Sequence, residues 1–123
     1  MKVGNDIVEV KRFLALITNK KFMEKVYTKA EQEHILNAKD RQKIAERMAG
    51  KYSAKEAVAK AIGLGISEGL TLNSIEIVPN EKGAPQVVLT GDAKVLFEKL
   101  GFNSIEVSIS NTSDLATSVC IIF

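Results

Sequence analysis

One long helical segment constrains the fold more than any other feature of the sequence. Asp40 is a good N-cap residue and Gly63 and Gly65 supply a stop, so the pattern predicts a helix from about Arg41 to Ile62. Gly50 lies inside this segment at a cost of about 1 kcal/mol relative to alanine, which indicates close packing there. The apolar side chains follow the spacing of a single helical stripe: Ile44, Ala45, Met48, Ala49, Tyr52, Ala57, Val58, Ala61 and Ile62.

The segments that precede this helix are predicted to form one strand and three short helices. The first of them is rich in β-branched side chains and is typical of a strand, in which Gly4 allows a close backbone approach. The predicted bounds are residues 3–10 for the strand, Glu9 or Lys11 to about Asn19 for the first helix, 20–26 for the second and, after a capping box of Thr28 and Glu31, 28 to about 38 for the third.

The second half of the chain changes to short strands with one further helix. Residues 105–110 alternate between apolar and polar side chains, and the apolar residues 115–123 pair naturally with them as a hairpin. The other predicted elements are strands at 74–78 and 86–89, a loop at 80–85, a helix that opens at Gly91 and Asp92 and closes at Gly101, and a turn at 111–114. The sequence therefore predicts one α+β domain over residues 1–123, with helices mostly in the first half and an antiparallel sheet built largely from the later strands.

The composition is typical of a soluble protein of the reducing interior of a cell. Of 123 residues, 46% are hydrophobic and 26% are charged. Cys120 is the only cysteine, so no intrachain disulfide is possible, and His34, the only histidine, is expected at the surface. No run approaches the roughly 20 apolar residues that span a bilayer, and charges stand where a signal peptide needs an apolar run. We therefore expect a cytoplasmic protein with no membrane partner.

The charge distribution indicates an anionic partner. Residues 1–30 carry seven Lys or Arg against three Asp or Glu, whereas residues 65–123 carry three against seven. A basic first half attracts nucleic acid, a membrane surface, a nucleotide cofactor or an acidic protein. A solvated lysine face is the alternative explanation.

Three polar clusters occur where the hydrophobic pattern does not require them. Asp6 lies in a strand rich in Val and Ile, so its carboxylate needs a cation or strong donors, unless it caps amides at the strand end. Glu56 and Lys60 share one helical face among alanines, and an exposed ion pair is the alternative for them. Residues 108–112 run into a hydroxyl-rich turn that suits phosphate oxygens, or that merely joins two strands.

Together these clusters outline a site for phosphoryl-type transfer. Asp6 and Glu56 could share a hard divalent cation such as Mg²⁺, which prefers carboxylate oxygens. Lys60 could neutralise one phosphate, while Asn111 and Thr112 could hold a second. In such a site, positioning and charge neutralisation carry most of the catalysis.

Several segments, taken in order along the chain, match the motifs of one known family. They are residues 4–13, Phe22 with Tyr27, Thr28 and Glu31, residues 54–61 with Gly63 and Gly65, Gly83 with Pro85, and residues 107–112. On these residues the chain resembles the short bacterial branch of the 4′-phosphopantetheinyl transferase superfamily, the holo-acyl-carrier-protein synthases. The resemblance covers nearly the whole chain, and it implies the α+β fold of that superfamily.

The resemblance also implies a reaction and a set of site residues. Asp6 and Glu56 would hold Mg²⁺, and Lys60 would contact the phosphate under attack. A serine of apo acyl carrier protein would attack the β-phosphate of coenzyme A, and 3′,5′-adenosine bisphosphate would leave; either Glu56 or a metal-bound water would take the serine proton. The implied contacts to coenzyme A are Lys51, Lys55, Lys60, Gly63, Asn111 and Thr112.

The same resemblance implies partners and an assembly. Arg12 and Lys11 would dock the acidic carrier protein, in agreement with the basic first half of the chain. Fatty acid biosynthesis would be the pathway served, nucleic acid would not be a partner, and a homotrimer would place the active sites at subunit interfaces.

One position departs from the family pattern, since the family usually has His where this chain has Asn111. Asparagine donates and accepts hydrogen bonds but does not titrate. A catalytically impaired homologue that still binds the carrier protein is therefore one alternative. An RNA-binding module is a second, although no strand carries stacking aromatics and no nucleic-acid motif is present.

Overall fold

The long helix forms at the bounds that the sequence predicts. In the computed structural model, which describes residues 1–63 and 70–123, helix α4 spans Arg41–Ile62. The Asp40 side chain caps it by accepting a hydrogen bond from the backbone N–H of Lys43 at 2.8 Å. Gly63 closes it in the left-handed conformation, with φ of 89°. The predicted role of Gly65 lies outside the described residues.

The remaining elements agree closely with the predictions, and the first helix is shorter than expected. It ends at Leu14, and turns lead from there to Asn19, whose side chain caps the next helix by accepting from the N–H of Phe22. The other elements are β1 (Lys2–Glu9), α1 (Lys11–Leu14), α2 (Lys20–Val26), α3 (Lys29–Leu36), a 3₁₀ turn (Leu72–Ser74), β2 (Ile75–Pro79), β3 (Pro85–Leu89), α5 (Gly91–Lys99), β4 (Ile105–Asn111) and β5 (Leu115–Ile122).

The strands are antiparallel, as predicted, but they form two sheets instead of one. The larger sheet has the order β1-β5-β4, so the N-terminal strand pairs with the C-terminal one, with Asp6 opposite Ser118. Strands β2 and β3 form a separate two-stranded sheet. The sequence pattern predicts each strand from its own residues, whereas this division depends on pairing between distant segments.

Helix α4 lies against one face of the larger sheet at very short distance. A Cβ atom on Gly4 would come within 2.0 Å of the Ala57 carbonyl oxygen and within 2.6 Å of the Ala61 nitrogen. A Cβ on Gly50 would meet the Ile109 side chain at 3.3 Å, which confirms the predicted close packing at this glycine. Glycine and alanine therefore let β1 lie directly on the helix backbone, and this contact brings Asp6 beside the last turns of α4.

A buried ion pair connects three elements near the middle of α4. The side chains of Glu31 and Lys55 are fully buried and their oxygen and nitrogen lie 2.7 Å apart. Glu31 also accepts from the backbone N–H of Thr28 and, at 2.8 Å, from that of Ile77. Lys55 donates further to the carbonyl oxygens of Leu72 and Ile75. The pair thereby fixes α3 and β2 against α4, and its hydrogen bonds offset the desolvation of both charges.

The outer face of the larger sheet is partly apolar and exposed. Outward-facing side chains alternate with the buried ones along β1 and β5, and four of them are large and hydrophobic: Val3, Ile7, Leu115 and Val119. Ile7 is the most exposed of these, at 62%. None of the helices that the structure describes combines the length and the apolar character that a membrane crossing requires.

Candidate active site

Asp6 and Lys60 form the centre of the first polar cluster. The Lys60 ammonium donates to Asp6 Oδ1 at 3.1 Å and to the carbonyl oxygen of Asn5 at 3.0 Å. The second carboxylate oxygen, Oδ2, is shielded from solvent and has no hydrogen-bond partner among the residues that the structure describes. Asp6 therefore has the cation that its position demands, and one oxygen remains available for a further positive group.

Glu56 belongs to the same cluster but does not form the ordinary helical ion pair with Lys60. Burial raises the pKa of Glu56, and the negative charge of Asp6 adds to this effect. The hydroxyl of Tyr52, followed by the charges of Lys60 and Arg12, acts in the opposite direction on the same pKa. The two carboxylates are thus close enough to repel one another, and a shared cation would relieve that repulsion.

This donor set suits a hard divalent cation that keeps part of its own shell. Among the described residues, no group of three or more His, Cys, Asp or Glu side chains converges on one point. Two carboxylates are nevertheless a common protein contribution to Mg²⁺, which completes its octahedral shell with waters and substrate phosphates. The buried Oδ2 of Asp6, unpartnered in the part of the chain that the structure describes, fits that arrangement.

A second cluster lines a cavity of about 360 Å³ on another part of α4. The side chain of Asn111 donates to Glu46 Oε1 at 2.8 Å and to the Thr112 carbonyl oxygen at 3.2 Å. Hydrogen bonds from Gln42, Lys43 and Asn111 lower the pKa of Glu46. The polar side chains that line this cavity are His34, Lys43, Glu46, Arg47, Lys51 and Asn111.

Lys51 contributes a buried positive charge to the wall of this cavity. Its ammonium donates to the Ile77 carbonyl oxygen at 2.6 Å. Burial lowers the pKa of Lys51 to about 8, the nearby charges of Lys55 and Arg47 lower it further, and Glu31 and Glu76 oppose them. A bound anion would stabilise this cation, so the position is consistent with the predicted contact to coenzyme A.

The sequence patterns did not identify Lys43 and Arg47 as residues of the cavity, and they placed His34 at the surface. Lys43, Arg47 and Lys51 recur at every fourth residue of α4, and this basic stripe was a readable signal for a shared face. His34 is half-buried at the cavity instead of lying on the open surface, because α3 turns it toward α4. Burial, with the charges of Lys51 and Arg47, lowers the pKa of His34 to about 4.

One chain does not bring the two clusters together. At ~1.5 Å per residue, Lys60 of the first cluster and Glu46 of the second lie about 20 Å apart along α4, and Glu56 and Lys51 lie about 8 Å apart. Asp6 and Asn111 also lie on the opposite edge strands of the larger sheet, with β5 between them. Lys51 and Asn111 line the cavity, whereas Asp6, Glu56 and Lys60 do not.

The structure assigns different surroundings to the other predicted contacts to coenzyme A. Lys55 is fully buried in its ion pair with Glu31, so it has no surface to offer a phosphate, and its predicted contact is not supported. Gly63 lies next to the first cluster as the exposed cap of α4. The Thr112 hydroxyl accepts from the backbone N–H groups of Asp114 and Leu115, which orders the turn between β4 and β5.

Of the two predicted docking residues, Arg12 has the more defined environment. Its guanidinium lies over the ring of Tyr52, 5.0 Å from the ring centre, and donates to the Tyr52 hydroxyl at 3.4 Å. Lys11 is largely exposed and pairs with Glu9 at 3.3 Å. Arg12 thus stands at the edge of the first cluster, whereas Lys11 contributes a solvated charge.

Comparison with known proteins provides a family for this geometry. A profile described as the 4′-phosphopantetheinyl transferase superfamily matches residues 2–120. A holo-[acyl-carrier-protein] synthase of Thermoanaerobacter pseudethanolicus is 46% identical over 120 residues, which cover 97% of this chain and 84% of that protein.

Solved structures show the same fold with nucleotides bound. An acyl carrier protein synthase of Plasmodium yoelii with ADP bound superposes with a TM-score of 0.86 at 31% identity, covering 98% of this chain and 93% of that one. A holo-[acyl-carrier-protein] synthase of Helicobacter pylori in complex with coenzyme A gives a TM-score of 0.81 at 27% identity, covering 98% and 99%.

Proposed function

Because this chain belongs to the 4′-phosphopantetheinyl transferase superfamily, we propose that it converts apo acyl carrier protein to the holo form. The 4′-phosphopantetheine of coenzyme A is moved to a carrier serine, in a Mg²⁺-dependent reaction. Relatives named for this activity over almost the whole chain support the reaction, and a related structure with coenzyme A supports the co-substrate. The product supplies fatty acid biosynthesis in the cytoplasm.

The single observation that carries the site assignment is the buried Oδ2 of Asp6, which has no partner among the described residues and lies beside Lys60. Asp6 and Glu56 would hold the Mg²⁺ ion, which when bound supplies positive charge to the pyrophosphate oxygens. Lys60 has three N–H donors and uses two on the residues that the structure describes, so the third can bind a phosphate oxygen. These residues place and neutralise the phosphate that is attacked.

The chemistry requires one nucleophile, one leaving group and one base. The carrier serine oxygen forms a bond to the β-phosphorus of coenzyme A, and the bond from that phosphorus to the bridging oxygen breaks, releasing 3′,5′-adenosine bisphosphate. The serine proton goes to Glu56 or to water. Burial raises the pKa of Glu56 in the metal-free chain, and a bound Mg²⁺ would oppose that rise.

A homotrimer would complete the site by combining half-sites from neighbouring copies. The exposed apolar side chains of β1 and β5, such as Ile7 and Val119, provide a face for self-association. In such an assembly the cationic cavity at Lys51 and Asn111 of one copy would face the Asp6 cluster of another. The cavity is large enough for part of a nucleotide. Its lining includes Lys43, Arg47 and Lys51, whose positive charge is opposite to that of the nucleotide phosphates.

Intact-protein mass spectrometry tests this function directly. An apo carrier protein incubated with the chain, coenzyme A and Mg²⁺ should gain the mass of one phosphopantetheine, and EDTA should prevent the gain. Glu56→Gln should abolish transfer while its circular dichroism and Tm stay near those of the parent chain; near-normal turnover would contradict the role of Glu56.

The environment of Asn111 favours one second candidate, a carrier-binding homologue with impaired catalysis. Both amide hydrogens of Asn111 are used by Glu46 and the backbone, so this residue offers the cavity only an acceptor. If the parent chain binds apo carrier protein but transfers nothing, and Asn111→His transfers, the impairment lies at this position. If neither form transfers to a carrier that a known synthase modifies, the proposed transferase activity is wrong.

A further inference from the structure

The guanidinium of Arg12 is held on an aromatic surface although its side chain is exposed. It lies 5.0 Å from the ring centre of Tyr52 and 5.5 Å from that of Phe13. One N–H group also donates to the Tyr52 hydroxyl at 3.4 Å. An arginine on the surface normally samples many rotamers, so two rings and a hydroxyl acceptor restrict its orientation.

The ring of Tyr52 is itself fixed by the core. It packs at a tilt against Phe13, with 5.3 Å between ring centres, and nearly parallel to Phe22 at 6.3 Å. Phe13 is fully buried, and Tyr52 is half-buried, with its hydroxyl toward Arg12. Tyr52 therefore presents a rigid polar tip on an apolar base.

Tyr52 also fixes where the guanidinium lies relative to the first cluster. Tyr52 precedes Glu56 by one helical turn, so both side chains emerge from the same face of α4. The Arg12 charge is near enough to act on the Glu56 carboxyl. Lys11 has no comparable support, because it is largely exposed and contacts only Glu9 among the described charged groups.

We propose that Tyr52 is a positioning residue for the carrier protein, holding Arg12 so that an acidic group of the carrier binds beside Glu56. This inference rests on the proposed transferase function. It distinguishes Arg12, whose position is defined, from the general basic character of the first half of the chain. An acidic group bound there would bring the neighbouring carrier serine over the carboxylate cluster.

A double-mutant cycle with Arg12 tests the proposal. Tyr52→Phe removes only the hydroxyl, Tyr52→Leu removes the ring, and Arg12→Ala removes the guanidinium. Each should raise KM for the apo carrier, Tyr52→Leu by about two- to tenfold as expected for a cation–π contact, with KM for coenzyme A nearly unchanged. KM for the apo carrier should be no higher in the combined Arg12→Ala and Tyr52→Leu variant than in Arg12→Ala alone, because Tyr52 acts on the carrier through Arg12.

The other tyrosine of the chain provides a matched control. Tyr27 donates its hydroxyl to the Met48 carbonyl oxygen in the core at 2.8 Å, whereas the Arg12 guanidinium donates to the Tyr52 hydroxyl. Tyr27→Phe should lower Tm without changing KM for the carrier. If it raises that KM as much as Tyr52→Phe does, or if the effects of Arg12 and Tyr52 simply add, the positioning role is wrong.

Direct binding separates this inference from the proposed function. Calorimetric titration of the chain with apo carrier protein, without coenzyme A, should show weaker binding for Tyr52→Leu and Arg12→Ala, and an affinity unchanged within about twofold for Lys94→Ala, which removes an exposed lysine on α5. Absence of transfer by the parent chain would overturn the function, whereas equal carrier affinity in the parent and Tyr52 variants would overturn only the inference. If Tyr52→Leu does not fold, the cycle of Tyr52→Phe with Arg12→Ala decides.

Discussion

Lys51, in the wall of the cavity that Asn111 also lines, is a side chain whose charge changes at mildly alkaline pH. Burial lowers its pKa from 10.5 to about 8, so the ammonium is present below that pH and is lost above it. If Lys51 binds a phosphate of coenzyme A, KM for coenzyme A should rise as pH increases through about 8. Steady-state kinetics from pH 6.5 to 9.5 would show this rise in the parent chain and not in Lys51→Arg, since arginine stays charged.

The same lowered pKa affects the stability of the fold, and here the effect of rising pH is favourable, whereas it is unfavourable for coenzyme A binding. Between about 8 and 10.5 the unfolded chain retains a proton on Lys51 that the folded chain has lost. The contribution of Lys51 to the free energy of unfolding therefore becomes more favourable as pH rises across that window. A Lys51 effect on KM above pH 8 thus cannot arise from a loss of the fold caused by this residue.

The buried pair of Glu31 and Lys55 makes a second prediction at this scale. Glu31→Gln leaves the Lys55 charge without its carboxylate in the core, so the free energy of unfolding should fall by about 3–5 kcal/mol. Replacing Lys55 with Met in the same chain should restore part of that loss. Urea denaturation measures both variants, and Lys11→Met, which breaks an exposed pair with Glu9, should change stability by less than about 1 kcal/mol.

Local patterns predicted one role of Glu31 and could not predict the other. The capping box with Thr28 follows from spacing alone, and the structure confirms it. The partner Lys55 is distant in sequence, and nothing near it reveals that its charge is buried. That long-range contact is why Lys55, placed among the coenzyme A contacts by its motif, instead supports the fold.

The contact between β1 and α4 is the element pair on which the first cluster depends. Gly4→Ala would place a Cβ at 2.0 Å from the Ala57 carbonyl oxygen, and neither backbone can yield without separating strand from helix. We expect a loss of about 3 kcal/mol in the free energy of unfolding, together with weaker binding of the proposed Mg²⁺ ion because Asp6 moves with β1. Thermal unfolding and calorimetric titration with Mg²⁺ measure the two effects.

Gly50→Ala is the matched control on the same helix. Its Cβ would meet only the Ile109 side chain, at 3.3 Å, which can adjust. The gain in helix propensity is about 1 kcal/mol and offsets the crowding, so stability should change little. Equal destabilisation by both substitutions would contradict the claim that the close backbone contact at Gly4 makes its substitution more costly than that of Gly50.

The sequence predicts the bounds of the helices and strands better than it predicts the contacts between them. Capping residues and periodicity define α4 to the residue, and the later strands fall within one or two positions of their predicted bounds. The division into two sheets was not predictable, because alternation within a strand does not identify its neighbour. The pairing of β1 with β5, which positions Asp6, is a long-range result of packing on α4.

For the whole molecule, the exposed face of the larger sheet should decide assembly. Ile7→Lys places a charge on the most exposed of its large apolar side chains, and we expect dissociation of the proposed trimer with a loss of transfer activity. Light scattering coupled to size exclusion, together with the mass-spectrometric assay, would show both. Val95→Lys on α5, at a position 50% exposed, should leave mass and activity unchanged.

In the candidate site too, local sequence patterns identify some residues, whereas others are identified only by the three-dimensional fold. Asp6, Glu56 and Lys60 could be selected from the sequence because polar residues interrupt an apolar pattern, and the structure groups them as expected. Asn111 and Lys51 were also selected, but their meeting at the cavity depends on the path of the chain in three dimensions. Tyr52 and Arg47 escaped notice because each fits an ordinary helix pattern.

If the proposed trimer joins the Asp6 cluster of one copy to the cavity at Lys51 of another, dilution of the chain inhibits it. If neither half is sufficient, an isolated copy is inactive, and the smallest working unit is a contact between two copies. Specific activity should then fall as the enzyme is diluted below the dissociation constant of the assembly, with a lag when it is concentrated again. A cell that halves its supply of this chain in that range would lose more than half of its capacity to load carrier proteins.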